Sequence, residues 1–208
     1  SNNMTILSFD ILATALVIGI SSGIVGAFII LRRMALVGDA MSHVALPGIA
    51  LMLAYEMDPF WGVLVFLLAA AVLVWWLEKT TKLYSEALIG VLFTLSLAVG
   101  ILTIPDHEVL ESLFGGFSPL SPLVRGVILT AGALLTAFVV FLTRPFLFAI
   151  VSPELAAAEN KKKTSWYELL LFLILSFTVA LGIKLVGAIL MGALTIIPAS
   201  VAKNVSQS

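Results

Sequence analysis

About six uninterrupted apolar runs, each long enough to cross a bilayer, follow one another along this chain, and nothing constrains its fold more. Roughly 18 consecutive apolar residues reach across a hydrocarbon layer as a helix. Inside lipid the backbone has no water to bond, so a spanning segment must satisfy its own N–H and C=O groups, as a helix does. The runs are Ile11 to Leu31, ended by Arg32-Arg33; Met34 to Tyr55; Phe60 to Leu77, followed by Lys79 and Lys82; Glu86 to Ile104; Pro122 to Thr143; and Trp166-Tyr167 to Ile197. Ser85 is placed to cap the fourth. Arg144-Pro145 stops the fifth and Pro198 the sixth, because proline cannot donate to a helix ladder. The sixth run exceeds one crossing, and Gly182, Lys184, Gly187 and Gly192 within it predict a tilted or broken helix.

The expected fold is therefore an all-α polytopic membrane protein, one transmembrane domain over residues 1–208. Composition excludes the soluble alternative. The chain is 61% hydrophobic and 11% charged, where a soluble domain carries about 25% charge. Without cysteine it has no disulfide and no thiolate metal site. Ser1 to Asp10 lacks the basic stretch and cleavage pattern of a signal peptide. The expected surroundings are membrane lipid, with no nucleic-acid partner.

Loop charge predicts the orientation. Arg32, Arg33, Lys79, Lys82, Arg144, Lys161, Lys162 and Lys163 fall in alternate loops. The other loops hold Glu56, Asp58, Asp106, His107, Glu108 and Glu111, and only Arg125 and Lys203 break the pattern. Basic loops stay in the cytoplasm, which puts the N-terminus outside and, after six spans, residue 208 outside as well.

One segment carries chemistry inside an apolar run: Leu36-Val37-Gly38-Asp39-Ala40-Met41-Ser42-His43-Val44-Ala45-Leu46-Pro47-Gly48. Asp39 and His43 are four residues apart and share a helix face. Ionisable groups are costly in lipid and mark cavities, partners or pathways. A carboxylate oxygen with an imidazole nitrogen suits Mn, Fe or Zn. Two donors make an incomplete site, as a transport path requires if the ion is to leave. Pro47 removes a backbone donor and so frees a carbonyl close to the pair. On residue chemistry alone a second reading stands beside this one: Asp39 caps the helix and His43 bonds across helices.

Two loops are longer than a connection needs. In the first, Ser152 can cap a short helix with Pro153 at its first position and Glu154 in its first turn. It is either a partner-docking element or a solvated connector whose lysines set topology. The second, Pro105 to Ser121, holds Asp106, His107, Glu108 and Glu111, which are either metal donors or an ordinary polar surface.

Four collinear stretches carry a family resemblance. They are Arg32 to Gly48; Glu86-Ala87-Leu88-Ile89-Gly90 through Ala98-Val99-Gly100; Leu113-Phe114-Gly115-Gly116; and Pro153-Glu154-Leu155-Ala156 through Lys184-Leu185-Val186-Gly187-Ala188-Ile189-Leu190 to Ile196-Ile197-Pro198-Ala199. The chain resembles the permease subunit of bacterial ABC importers for zinc, manganese or iron, a type II-like importer fold lacking its last two spans. The resemblance implies a permease homodimer in the cytoplasmic (inner) membrane with two cytoplasmic ABC ATPase subunits. An extracytoplasmic metal-binding protein would deliver a divalent metal, carried as substrate with no permanently bound cofactor. Asp39 and His43 would lie on the metal path. Pro153, Glu154, Leu155, Ala156, Ala157, Ala158, Glu159 and Asn160 would form the element coupled to the ATPase. No phosphate-binding Gly-rich loop is present, so the chain is expected to be a transporter subunit and not an enzyme. Two departures are plain. The family continues through two further spans beyond Pro198-Ala199, and Asn160 stands where a glycine is common. A permease for a larger metal chelate and a truncated non-transporting paralogue are the alternative expectations.

Overall fold

The computed structural model describes residues 2–34, 36–81, 83–103 and 122–206. Among these residues the regular elements are all helices: α1 (Asn2–Leu31), α2 (Val37–Ala54), α3 (Pro59–Thr80), α4 (Ser85–Thr103), α5 (Pro122–Phe141), α6 (Thr143–Val151) and α7 (Pro153–Ser206). α1 to α4 and the first part of α7 each supply a span, and α5 with α6 forms a further one bent by 55°. The polytopic all-α expectation, with about six spans, is met.

The helix ends follow from local chemistry. α1 closes where Met34 N–H reaches Ile29 O and Arg33 N–H reaches Ile30 O. Arg33 there takes a left-handed φ of 61°, the conformation that ends a helix in a Schellman motif. α2 ends identically, with Met57 bonded to Met52 O, Glu56 to Leu53 O, and Glu56 at φ 55°. α3 starts at Asp58, whose Oδ1 accepts from Phe60 N–H at 2.9 Å with Pro59 in the first position. Ser85 does not cap α4. It is the first helical residue, and the carbonyl of Tyr84 closes that turn. α5 stops at Phe141, slightly before Arg144-Pro145. Pro145 falls in the first turn of α6, where a missing N–H costs nothing.

The expected sixth span needs correction at its end. α7 is interrupted at Asn160 (φ −159°, ψ 93°) and at Gly187 (φ 77°, ψ 171°). Gly187 occupies a region that a Cβ would forbid. The span therefore ends there, and Pro198 lies inside the helix that follows. Gly182 accommodates the change of direction: a Cβ on it would stand 2.0 Å from Met191 Sδ.

α2 is enclosed by α3, α4 and α7. At the α2–α3 crossing Gly48 and Gly62 face each other backbone to backbone. A Cβ on Gly62 would lie 2.0 Å from Gly48 O, and one on Gly48 2.4 Å from Gly62 O. Lipid tails are as apolar as leucine, so such close packing and hydrogen bonds between helices hold the bundle. Ser176 Oγ donates to Leu67 O at 3.0 Å, and Ser21 Oγ lies 2.6 Å from Thr136 Oγ1. Leu67, Phe172, Leu175 and Val179 are fully buried between the helices, while Val91, Leu95 and Leu102 of α4 point outward.

Ion pairs fasten the two ends of the bundle. At one end Arg32 reaches Glu78 at 3.3 Å and Glu168 at 3.4 Å, and Lys79 also pairs with Glu168. The Arg32 guanidinium stands 5.3 Å from the Phe172 ring centre. At the other end Lys184 pairs with Asp58.

Candidate functional site on α2

The first turn of α2 is closed by the carbonyl of Leu36, which accepts from Ala40 N–H at 2.9 Å. Leu36, not Asp39, is the capping residue. The capping alternative for Asp39 is thereby overturned, because Asp39 already lies inside the helix. It stands one turn before His43, and Oδ1 of Asp39 is 3.8 Å from Nε2 of His43. That is too long for a direct hydrogen bond.

The two donors differ in setting. The His43 side chain keeps 14% of its surface exposed and the Asp39 side chain 46%. His43 packs edge-on against Phe93 of α4, ring centres 5.0 Å apart. Its Nδ1 is buried without a hydrogen-bond partner. Pro47 lies four residues beyond His43, so the carbonyl its missing N–H frees is that of His43 itself. From the far side the backbone of Gly192 closes on Asp39: a Cβ there would lie 2.8 Å from Oδ1 and 3.0 Å from Cα of Asp39. Among the described residues no third His, Cys, Asp or Glu joins the pair. Asp106, His107, Glu108 and Glu111, with Leu113 to Gly116, lie outside the described residues.

The segment from Pro153 to Glu159 is a short helix, closed at its start by Ala156 N–H on Ser152 O at 2.9 Å. Ala156 packs inward, while Glu154, Leu155, Ala158 and Glu159 face out. Asn160 is extended, not left-handed as a glycine equivalent would be. Its Oδ1 accepts from Lys163 N–H at 2.9 Å, so it caps the long stretch that follows.

Residue-level reasoning missed Phe93, the seating of Gly192 on Asp39, and the Arg32 network. The repeated glycines around Gly187 were the available signal for the second of these.

The profile of the ABC 3 transport family matches residues 4–208. The chain belongs to that family. Among its relatives, the manganese import system permease protein ScaB of Streptococcus gordonii is 33% identical over 195 residues, covering 92% of this chain and 70% of the relative. The high-affinity zinc uptake system membrane protein ZnuB of Haemophilus influenzae is 30% identical over 212 residues, covering 96% and 78%. A solved structure titled PsaBC from Streptococcus pneumoniae in complex with Fab matches with a TM-score of 0.78 at 32% identity, covering 95% of this chain and 72% of that one. This ABC 3 family chain thus shares its fold as well as its sequence pattern with these permeases.

Proposed function

We propose that the chain is the membrane subunit of an ATP-driven importer of a divalent transition metal, manganese or zinc, and that it works by alternating access powered by a separate ATPase. The single observation that carries this is its membership of a family whose similar members are named as manganese and zinc permeases. Site chemistry supports it. Asp39 and His43 present one oxygen and one nitrogen donor from adjacent turns of an enclosed helix, and the 3.8 Å gap leaves both free to take a ligand. A two-donor contact is weak enough for an ion in transit.

On this reading Asp39 and His43 touch the metal during passage. The helix Pro153–Glu159 with its Asn160 end seats in the ATPase, a solute-binding protein delivers the metal on the opposite side, and two copies of the permease form the pathway. The Arg32 end faces the cytoplasm and the N-terminus lies outside, as the loop charges support. The test is uptake of Mn2+ and Zn2+ into proteoliposomes holding the assembled transporter, with and without ATP. D39A and H43A are expected to lower uptake by about ten-fold or more. Unchanged uptake in both variants would sink the pathway assignment.

A further inference from the structure

We infer that Gly192 is a positioning residue for Asp39, one that sets the aim of its carboxylate through the absence of a side chain. The inference rests on the reading that Asp39 meets the metal.

It starts from the break at Gly187. The φ of 77° there turns the chain so that the stretch after it packs back against α1 and α2. Three glycines receive that stretch. A Cβ on Gly26 would stand 1.9 Å from Thr195 O, one on Gly38 would stand 3.1 Å from Thr195 Cγ2, and one on Gly192 would stand 2.8 Å from Asp39 Oδ1. The first two fix how close the helices come. The third differs in kind, because the obstructing atoms belong to Asp39: Oδ1 at 2.8 Å, Cα at 3.0 Å and Cβ at 3.5 Å. Rotating the carboxylate would clear Oδ1 but leave Cα in the way. An added methyl must therefore both turn the carboxylate and press α2 aside by a few tenths of an ångström.

That displacement matters because of the opposing donor. Metal–oxygen and metal–nitrogen bonds to zinc are both close to 2.0–2.2 Å. One ion can touch both groups only while Oδ1 and Nε2 stay near their present 3.8 Å separation. Phe93 holds the imidazole from one side, and Gly192 bounds the carboxylate from another. The post-break stretch is thus a backstop whose single contact atom decides where Asp39 points.

The measurement is equilibrium Mn2+ binding to the detergent-solubilised permease–ATPase complex, with no binding protein present. G192A is expected to weaken binding by about ten-fold. G38A wedges the same helices through Thr195 without facing the Asp39 carboxylate, and is expected to stay within about two-fold on the same scale. In the D39A background G192A should add no further loss, since its effect runs through the carboxylate. Wild-type affinity in G192A, an equal loss in G38A, or additivity with D39A overturns the inference. Should G192A fail to assemble, D39A/G192A must recover assembly, and its failure overturns the inference too. Wild-type affinity in D39A itself would count against the pathway reading, a result distinct from normal binding in G192A alone.

Discussion

Lys184 Nζ lies 3.1 Å from Asp58 Oδ2 and 3.2 Å from Oδ1, joining the start of α3 to the last turns of α7 before Gly187. The ammonium also stands 5.7 Å from the Phe60 ring centre. Asp58 thus serves twice, as helix cap and as ion-pair partner. Its neighbours make the point electrostatically: partial burial pushes its pKa up, yet the Phe60 N–H and the Lys184 charge together hold it below the ordinary 3.8.

A pH dependence follows. A carboxylate with a depressed folded pKa contributes stability that is fully present above its unfolded value and lost as pH falls through the folded one. The contribution of Asp58 is expected to be complete above about pH 5 and to decline below about pH 4. Thermal unfolding in detergent checks this. Between about pH 5 and pH 3 the Tm of the wild type should fall more than that of D58N. Equal slopes would mean that the pair carries nothing, as exposed pairs often do.

The Arg32 network is more enclosed, with the arginine side chain 16% exposed and its two glutamates at 23% and 21%. R32A leaves both carboxylates facing each other without their shared cation. A loss of about 1–3 kcal/mol is expected, between the values for exposed and buried pairs. K79A leaves Arg32 in place and should cost about 0.5 kcal/mol. Denaturant or thermal titration of the two variants side by side checks the order.

Gly48 and Gly62 admit no side chain. G62A would set a Cβ against a backbone carbonyl, which cannot swing away as a side chain can. A destabilisation of about 1–3 kcal/mol or more is expected from the forced separation of α2 and α3. G19A, with nothing within 4 Å of the added atom, should stay within about 0.5 kcal/mol. A stable G62A would disprove the backbone-to-backbone crossing.

Asn160 should behave as a cap. N160A is expected to cost about 1 kcal/mol and N160G only a few tenths. If the family glycine at this position were required for a left-handed turn, N160G would instead be clearly stabilising. Thermal unfolding of the two variants separates these outcomes.

Much of the architecture was legible in the residues because lipid leaves the backbone few options. The span starts and the place of Asp39 and His43 on one helix face could be read directly. The end of the sixth span could not. Proline is the usual stop signal, and Pro198 drew attention away from Gly187, whose role depends on a dihedral that composition does not encode. The cap of α2 was likewise invisible, since a leucine carbonyl closes that turn without a side-chain signature. Long-range seatings such as Gly192 on Asp39 need the third dimension, because 153 residues separate the partners in the chain. The Arg32 network was hidden for another reason. Arg32 and Lys79 read as topology signals, and their carboxylate partners sit one or more helices away.

The apolar stretch Leu190–Val205 beyond the Gly187 break is about 16 residues and so about 24 Å long. A typical hydrocarbon core is ~30 Å thick. This helix therefore meets the bilayer with a hydrophobic mismatch, and a thinner membrane suits it better than a thick one. Its seat against Gly26, Gly38 and Asp39 makes acyl-chain length a variable that reaches the α2 site from the lipid side.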